Sequence, residues 1–305
     1  MSHPPSIDGV LIQWGDRLFF PGNRIIRTPP QPRLRERGSH RADELRARIA
    51  ATLRRAPQVM VKVTGGGRGM KAIAAHFRYI SKNGRLEIED ERGQICQGRE
   101  AVKELVEDWR FGGSLIEEVS PRREAYNVML SMPRGSDPLI IQRAAREFAR
   151  QELAGHKYVM VLHDHQANPH VHISVRAESK HGRRLNPRKA DLHRWRETFA
   201  EKLRGWGIDA EATRQATRGN VRAYPPLWRI KAREEGRERS HRSALPPVRT
   251  AGRRDALEAW RRIAGALAAG DEQDSRMARD IASFVNDTSH RRWQPGSKPE
   301  PDKVR

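Results

Sequence analysis

His163, His170 and His172 lie within VMVLHDHQANPHVHISVR, residues 159–176, at a spacing suited to holding a cation. Two apolar runs, Val159 to Leu162 and Val171 to Val175, flank a cluster of turn formers: Asp164, His165, Gln166, Ala167, Asn168 and Pro169. That pattern predicts a β-hairpin. His163 ends the first strand, while His170 and His172 lie two apart on the second, where side chains at i and i+2 share a face. A simple hairpin then sets His163 opposite His170. Three imidazoles converging on one face suffice for a metal ion with positions left for substrate. One strand histidine alone is ordinarily a solvated or hydrogen-bonded residue; the combination H-x6-H-x-H across a hairpin is what points to a ligand set. His165, in the loop, is the competing ligand.

The elements that must position this hairpin begin near Gln58. Val59 to Thr64 alternates as a strand should, and Gly65-Gly66-Gly67 ends it. This glycine run lacks both the Gly-Lys-Ser/Thr ending of a P-loop and the spacing of a dinucleotide fingerprint, so it reads as a turn. A helix over Gly69 to Lys82 carries Met70, Ile73, Phe77 and Ile80 on one stripe. Tyr79 falls off that stripe, on a face with Ala72, Ala75 and His76, and is flanked by Arg78 and Lys82. In isolation it reads as an amphipathic boundary residue, although a tyrosine flanked by Arg78 and Lys82 is not simple core. A short strand at Arg85 to Glu89, a helix at Arg99 to Arg110 and a strand at Ala125 to Met132 follow. Asp137 and Pro138 then open a long helix striped by Ile141, Ala144, Ala145, Phe148 and Leu153 and stopped by Gly155. After the hairpin, Leu192, Trp195, Phe199, Leu203 and Trp206 line one face of a helix from about Lys189 to Arg204. This order predicts an α+β fold, a mainly antiparallel sheet with helices on one face and the open face left for ligand.

Composition narrows the partner. The chain of 305 residues carries 59 Lys and Arg against 38 Asp and Glu, a formal charge of +21, with a pI of about 11.1. Such a surplus repels itself and is offset by a polyanion. Cys96 is the single cysteine, which excludes an intramolecular disulfide framework and a cysteine-based zinc site and fits a reducing cytoplasm. No apolar run is long enough for a membrane span, and the N-terminus lacks a signal-peptide pattern. The division expected is a basic N-terminal extension at 1–57, a globular domain at 58–222, a charged linker at 223–252, a short helical region at 253–285 and a disordered tail at 286–305. A basic amphipathic helix is expected within the extension, from about Arg41 to Arg55. The linker holds the charged run Lys231 to Ser243.

RYIS at Arg78 to Ser81, on a helix after the first strand, together with HDHQANPHVHISV downstream, resembles the relaxases of mobile plasmids. These are HUH single-strand endonucleases, and the match is nearest their P-type mobilisation family. It spans about Val59 to Arg222, and the tyrosine precedes the histidines, as in relaxases rather than replication initiators. The resemblance implies Tyr79 as nucleophile, His163, His170 and His172 as metal ligands, and magnesium or manganese as the ion. Imidazoles alone favour zinc, nickel or manganese over magnesium. The substrate implied is single-stranded origin-of-transfer DNA, left as a 5′-phosphotyrosyl adduct with a free 3′-hydroxyl. Relaxosome accessory proteins and a type IV coupling protein are the implied partners. The implied setting is the bacterial cytoplasm, with passage alongside DNA into a recipient cell. Many relatives carry an acidic residue two positions after the first histidine; here His165 stands there and Asp164 precedes it. That leaves open which group orients a ligand or takes the tyrosine proton, with His165, Asp164, His76, Arg78 and Lys82 as the supporting candidates. Two other readings remain: a non-catalytic DNA-binding accessory protein, and a metal nuclease that uses water.

Overall fold

The computed structural model describes residues 6–19, 37–165, 168–213, 217–218 and 250–290. The charged run Lys231 to Ser243 and the tail beyond residue 290 lie outside them. The chain divides into two compact units, Arg55–Ala212 and the combination of Met1–Arg54 with Thr213–Arg305.

The first unit has the expected α+β class, but its helices lie on both faces of the sheet and not on one, because the helices Met70–Ile80 and Arg99–Phe111 also carry apolar stripes that need covering. Its strands are β1 (Met60–Gly65), β2 (Ile88–Asp90), β3 (Ile95–Cys96), β4 (Ala125–Ser131), β5 (His156–His163) and β6 (His170–Ser179). They form one sheet in the order β1-β4-β6-β5-β2-β3, antiparallel throughout. The helices are α3 (Met70–Ile80), α4 (Arg99–Phe111), α5 (Pro138–Glu152) and α6 (Lys189–Gly205). Central strand β6 alternates strictly: Val171, Ile173, Val175 and Ala177 point to one face, His170, His172, Ser174 and Arg176 to the other.

The apolar face of β6 is closed by α5 and α6. Ile141, Phe148, Trp195, Phe199 and Leu203 pack there on Val128, Met160, Val171 and Ile173, with edge-on ring pairs at Phe148–Trp195 (6.0 Å) and Phe148–Phe199 (6.3 Å). Asp137 caps α5 by accepting from the Leu139 and Ile140 amides, and Pro138 starts it, as the sequence predicts. The second face is shared. On it α3 and α4 bury Ile73, Phe77, Ile80, Val102 and Trp109 against Val159 and Val161 of β5, so they cover only the β5–β2 part. The β1–β4–β6 part stays open: Met60, Lys62 and Thr64 are exposed, and Asn127 and Met129 half-buried.

Gly66, Gly67 and Gly69 are required by close approach. A Cβ at Gly66 would sit 2.2 Å from the Ala125 carbonyl oxygen, and Gly69 has φ +94° against Glu118. The amides of Met70 and Lys71 at the start of α3 donate to the Glu117 and Glu118 carbonyls. Those donors are therefore committed to the chain's own backbone and not to a phosphate.

Arg176 is buried at 3% exposure, and its guanidinium donates to the carbonyls of Trp109, Gly112 and Ser114, tying the end of α4 to the sheet. Burial pulls its pKa down, yet it stays charged at any physiological pH. Arg176→Met would orphan these carbonyls, so urea unfolding should show a loss on the order of 3 kcal/mol.

The second unit is helical. Its helices are α1 (Ile7–Phe19), α2 (Arg37–Leu53), α7 (Thr250–Leu267) and α8 (Glu272–His290), packed around Leu11, Phe19, Leu45, Ile49, Trp260, Ile263 and Ile281. Trp260 meets Phe19 edge-on at 6.2 Å and donates its indole N–H to the Thr217 carbonyl. Arg46 joins Asp8 and Asp274, so chain from both ends shares one core. The α8 helix runs past Asn286, where the tail was expected to start. Among the described residues no helix is long and apolar enough to cross a membrane.

Candidate active site

The hairpin has the register expected of it. His163 pairs directly with His170, and Val161 with His172, so all three imidazoles lie on the face shared with α3. Their ring centroids are 5.0 Å (His163–His170), 4.7 Å (His163–His172) and 4.9 Å (His170–His172) apart. One ligand atom from each lies within 4.8 Å of the others. A shared ion at about 2.1 Å from each would draw these nitrogens closer together.

Second contacts set the ring tautomers. The Ile80 carbonyl can only accept, so His163 Nε2 carries the proton in its 2.7 Å bond to that oxygen, and Nδ1 keeps its lone pair. His170 Nδ1 donates likewise to the Asn168 carbonyl at 2.9 Å, which frees Nε2. A metal-bound histidine typically donates its other N–H to such a carbonyl. His163 Nδ1 and His172 Nδ1 are buried without a partner among the described residues, which is costly for a polar atom with nothing to bind. The donor set, its tautomers and these orphaned nitrogens fit a divalent ion.

Helix α3 brings the remaining candidates. Its last turn leaves carbonyls free, and His163 takes that of Ile80, so the residue after Tyr79 is bonded to the histidine cluster. Ser81, fully buried, accepts from the Gly84 amide, and Lys82 and Asn83 adopt left-handed φ of 50° and 58°, which ends the helix sharply. Tyr79 itself is 71% exposed. His76, one turn earlier, lies between Tyr79 (6.2 Å) and His172 (6.4 Å) by ring centroids. Arg78 and Lys82 are exposed beside it. His165 lies 5.1 Å from His163 but outside the three-residue cluster, and Asp164 is exposed.

Burial pushes His76 down to about 4, and His172 to about 3 with help from its neighbouring imidazoles. Burial also lowers His163, against the Ile80 hydrogen bond that favours its charged form. These rings are neutral at pH 7, as ligands must be. In the metal-free chain the unfolded state takes up protons at the ordinary value of 6.5, where the folded state does not. Thermal stability should therefore fall as pH drops from about 6.5 towards 4, and His76→Phe should make that slope shallower in a melting series.

Two polar groups on this face escaped the motif reading. The Ser174 hydroxyl, fully buried, donates to Asn127 Oδ1 at 2.9 Å, and Ser131 sits in the row of His163 and His170. The signal for them was the alternation of AYNVMLS and HVHISVR, which puts Asn127, Met129, Ser131 and Ser174 on the histidine face.

Residues 79–208 match the family model of the relaxase MobA/VirD2-like nuclease domain. The chain is 24% identical over 182 residues to the T-DNA border endonuclease VirD2 of Agrobacterium fabrum, and 23% identical over 182 residues to that of Rhizobium radiobacter. The matched stretch covers 53% of this chain and only 41% and 43% of those two proteins. An exposed tyrosine on a helix tied to a three-histidine cluster, on an antiparallel sheet, agrees with that match, and residues 79–208 are similar to the relaxase MobA/VirD2-like nuclease domain.

Proposed function

We propose that the chain is a site- and strand-specific DNA nickase that cleaves single-stranded DNA at an origin of transfer by tyrosine transesterification. The observation that carries this reading is the bond from His163 to the Ile80 carbonyl, which couples the helix of Tyr79 to the histidine cluster. Tyr79 Oη attacks the scissile phosphorus. The P–Oη bond forms as the P–O3′ bond breaks, the phenol giving up a proton and the departing O3′ taking one. One phosphodiester replaces another, so the strand can later be rejoined without ATP. Arg78 and Lys82 attract the phosphate backbone. His163, His170 and His172 would hold the divalent ion, magnesium or manganese, which would supply polarisation of the phosphate and offset developing charge.

Tyr79 is favoured over the other three tyrosines. Tyr158 is 4% exposed with its pKa raised by burial, and Tyr126 lies on the opposite face under Arg123. Tyr224 lies outside the described residues. Relaxosome accessory proteins and a type IV coupling protein are the proposed partners, in a bacterial cytoplasm.

Incubation with single-stranded origin DNA and manganese, run on a denaturing gel, tests the reading. A covalent protein–DNA band supports it. Cleavage without the band would favour a water-using nuclease. Binding with neither would favour an accessory protein.

A further inference from the structure

The open part of the sheet beside the histidines is ordered in rows. One row runs His163, His170, Ser131, Met60; the next Val161, His172, Met129, Lys62; the third Val159, Ser174, Asn127, Gly65. On β1 and β4 these rows present two methionines, a lysine and one amide. Methionine side chains offer a soft apolar platform for a base face, and Lys62 a cation for the backbone. The Asn127 row lies two residues from the His172 row, about 7 Å along the strand. That is the reach of one nucleotide from a phosphate held at the histidines.

Asn127 is built to read a base. Ser174 is fully buried and its hydroxyl donates to Asn127 Oδ1, which engages the oxygen end of the amide. The nitrogen Nδ2 is left facing Gly65, where even a Cβ would stand no closer than 3.9 Å, and it has no hydrogen-bond partner among the described residues. Space above the amide is thus kept clear by a residue with no side chain. An amide held with its donors outward pairs with keto oxygens, O6 of guanine or O4 of thymine, and meets the exocyclic amines of adenine and cytosine donor to donor.

We propose that Asn127, held by Ser174, is a specificity-determining residue that selects a guanine or thymine next to the scissile phosphate. The inference rests on the reading of the chain as a single-strand DNA nickase, and deepens it by naming a base class.

A binding selection tests it independently of the chemistry. The full chain carrying Tyr79→Phe is mixed with a randomised single-stranded DNA pool, and the retained DNA is sequenced. One position should favour guanine or thymine. Adding Asn127→Ala should cut that preference about tenfold while other positions keep theirs. Asn127→Asp, an acceptor in place of the donor, should turn it towards adenine or cytosine. Ser174→Ala, which leaves Asn127 in place but frees the amide to flip, should flatten it with total retention unchanged. An Asn127→Ala profile matching the parent, or a parent pool with no positional preference, overturns the proposal. A base preference that follows Asn127 in a chain that forms no adduct with Tyr79 intact would instead sink the nickase reading and leave the base-reading role standing.

Discussion

Tyr79→Phe should abolish the covalent DNA adduct, a fall on the order of 10⁴-fold or more, while DNA affinity stays within about twofold. The substitution removes one oxygen and keeps the ring. At 71% exposure the phenol has no buried partner to orphan, so unfolding should shift by less than about 0.5 kcal/mol. The predicted signature is therefore complete loss of chemistry in a folded, DNA-binding chain. A gel of adduct against time, paired with oligonucleotide anisotropy, measures both. Adduct formation at the normal rate would remove Tyr79 from the mechanism.

His172→Ala should weaken manganese binding by more than about 100-fold, since removing a ligand costs at least what removing its outer hydrogen-bond partner does. Calorimetric titration without DNA reads this directly. His170→Ala should behave alike. His163→Ala should do more, because it also releases the Ile80 carbonyl that ends the helix of Tyr79. At manganese concentrations that saturate each variant, His163→Ala should still form adduct more slowly than His170→Ala. Titrations indistinguishable from the parent would show that these three rings do not hold the ion.

Much of the site was legible because hairpins are governed locally. Turn formers between two apolar runs set the loop, the loop length set the register, and register brought His163 opposite His170. The α+β class followed from the order of elements, and Asp137 with Pro138 marked the start of α5. What escaped depended on distant packing. Arg176 read as the end of a strand, yet it binds carbonyls of the 109–114 segment, a contact no local pattern encodes. In helix α1, Gly15 parts two apolar runs. That glycine is where Leu45 of α2 lies, since a Cβ there would come 2.8 Å from Leu45 Cδ2. The amphipathic stripe of Leu45 and Ile49 was visible, but its partner Trp260 comes from the other end of the chain. Asn127 was hidden because its meaning lies in one buried hydroxyl on a neighbouring strand.

Peptide mapping of the covalent product tests the central claim most directly. After reaction with a short single-stranded oligonucleotide and manganese, nuclease trimming and trypsin digestion release the peptide Tyr79 to Lys82, bounded by Arg78 and Lys82. Mass spectrometry should find this peptide carrying a 5′-linked nucleotide on Tyr79, and Tyr126, Tyr158 and Tyr224 unmodified. A nucleotide on any other residue, or a cleaved strand with every tyrosine free, would contradict the account.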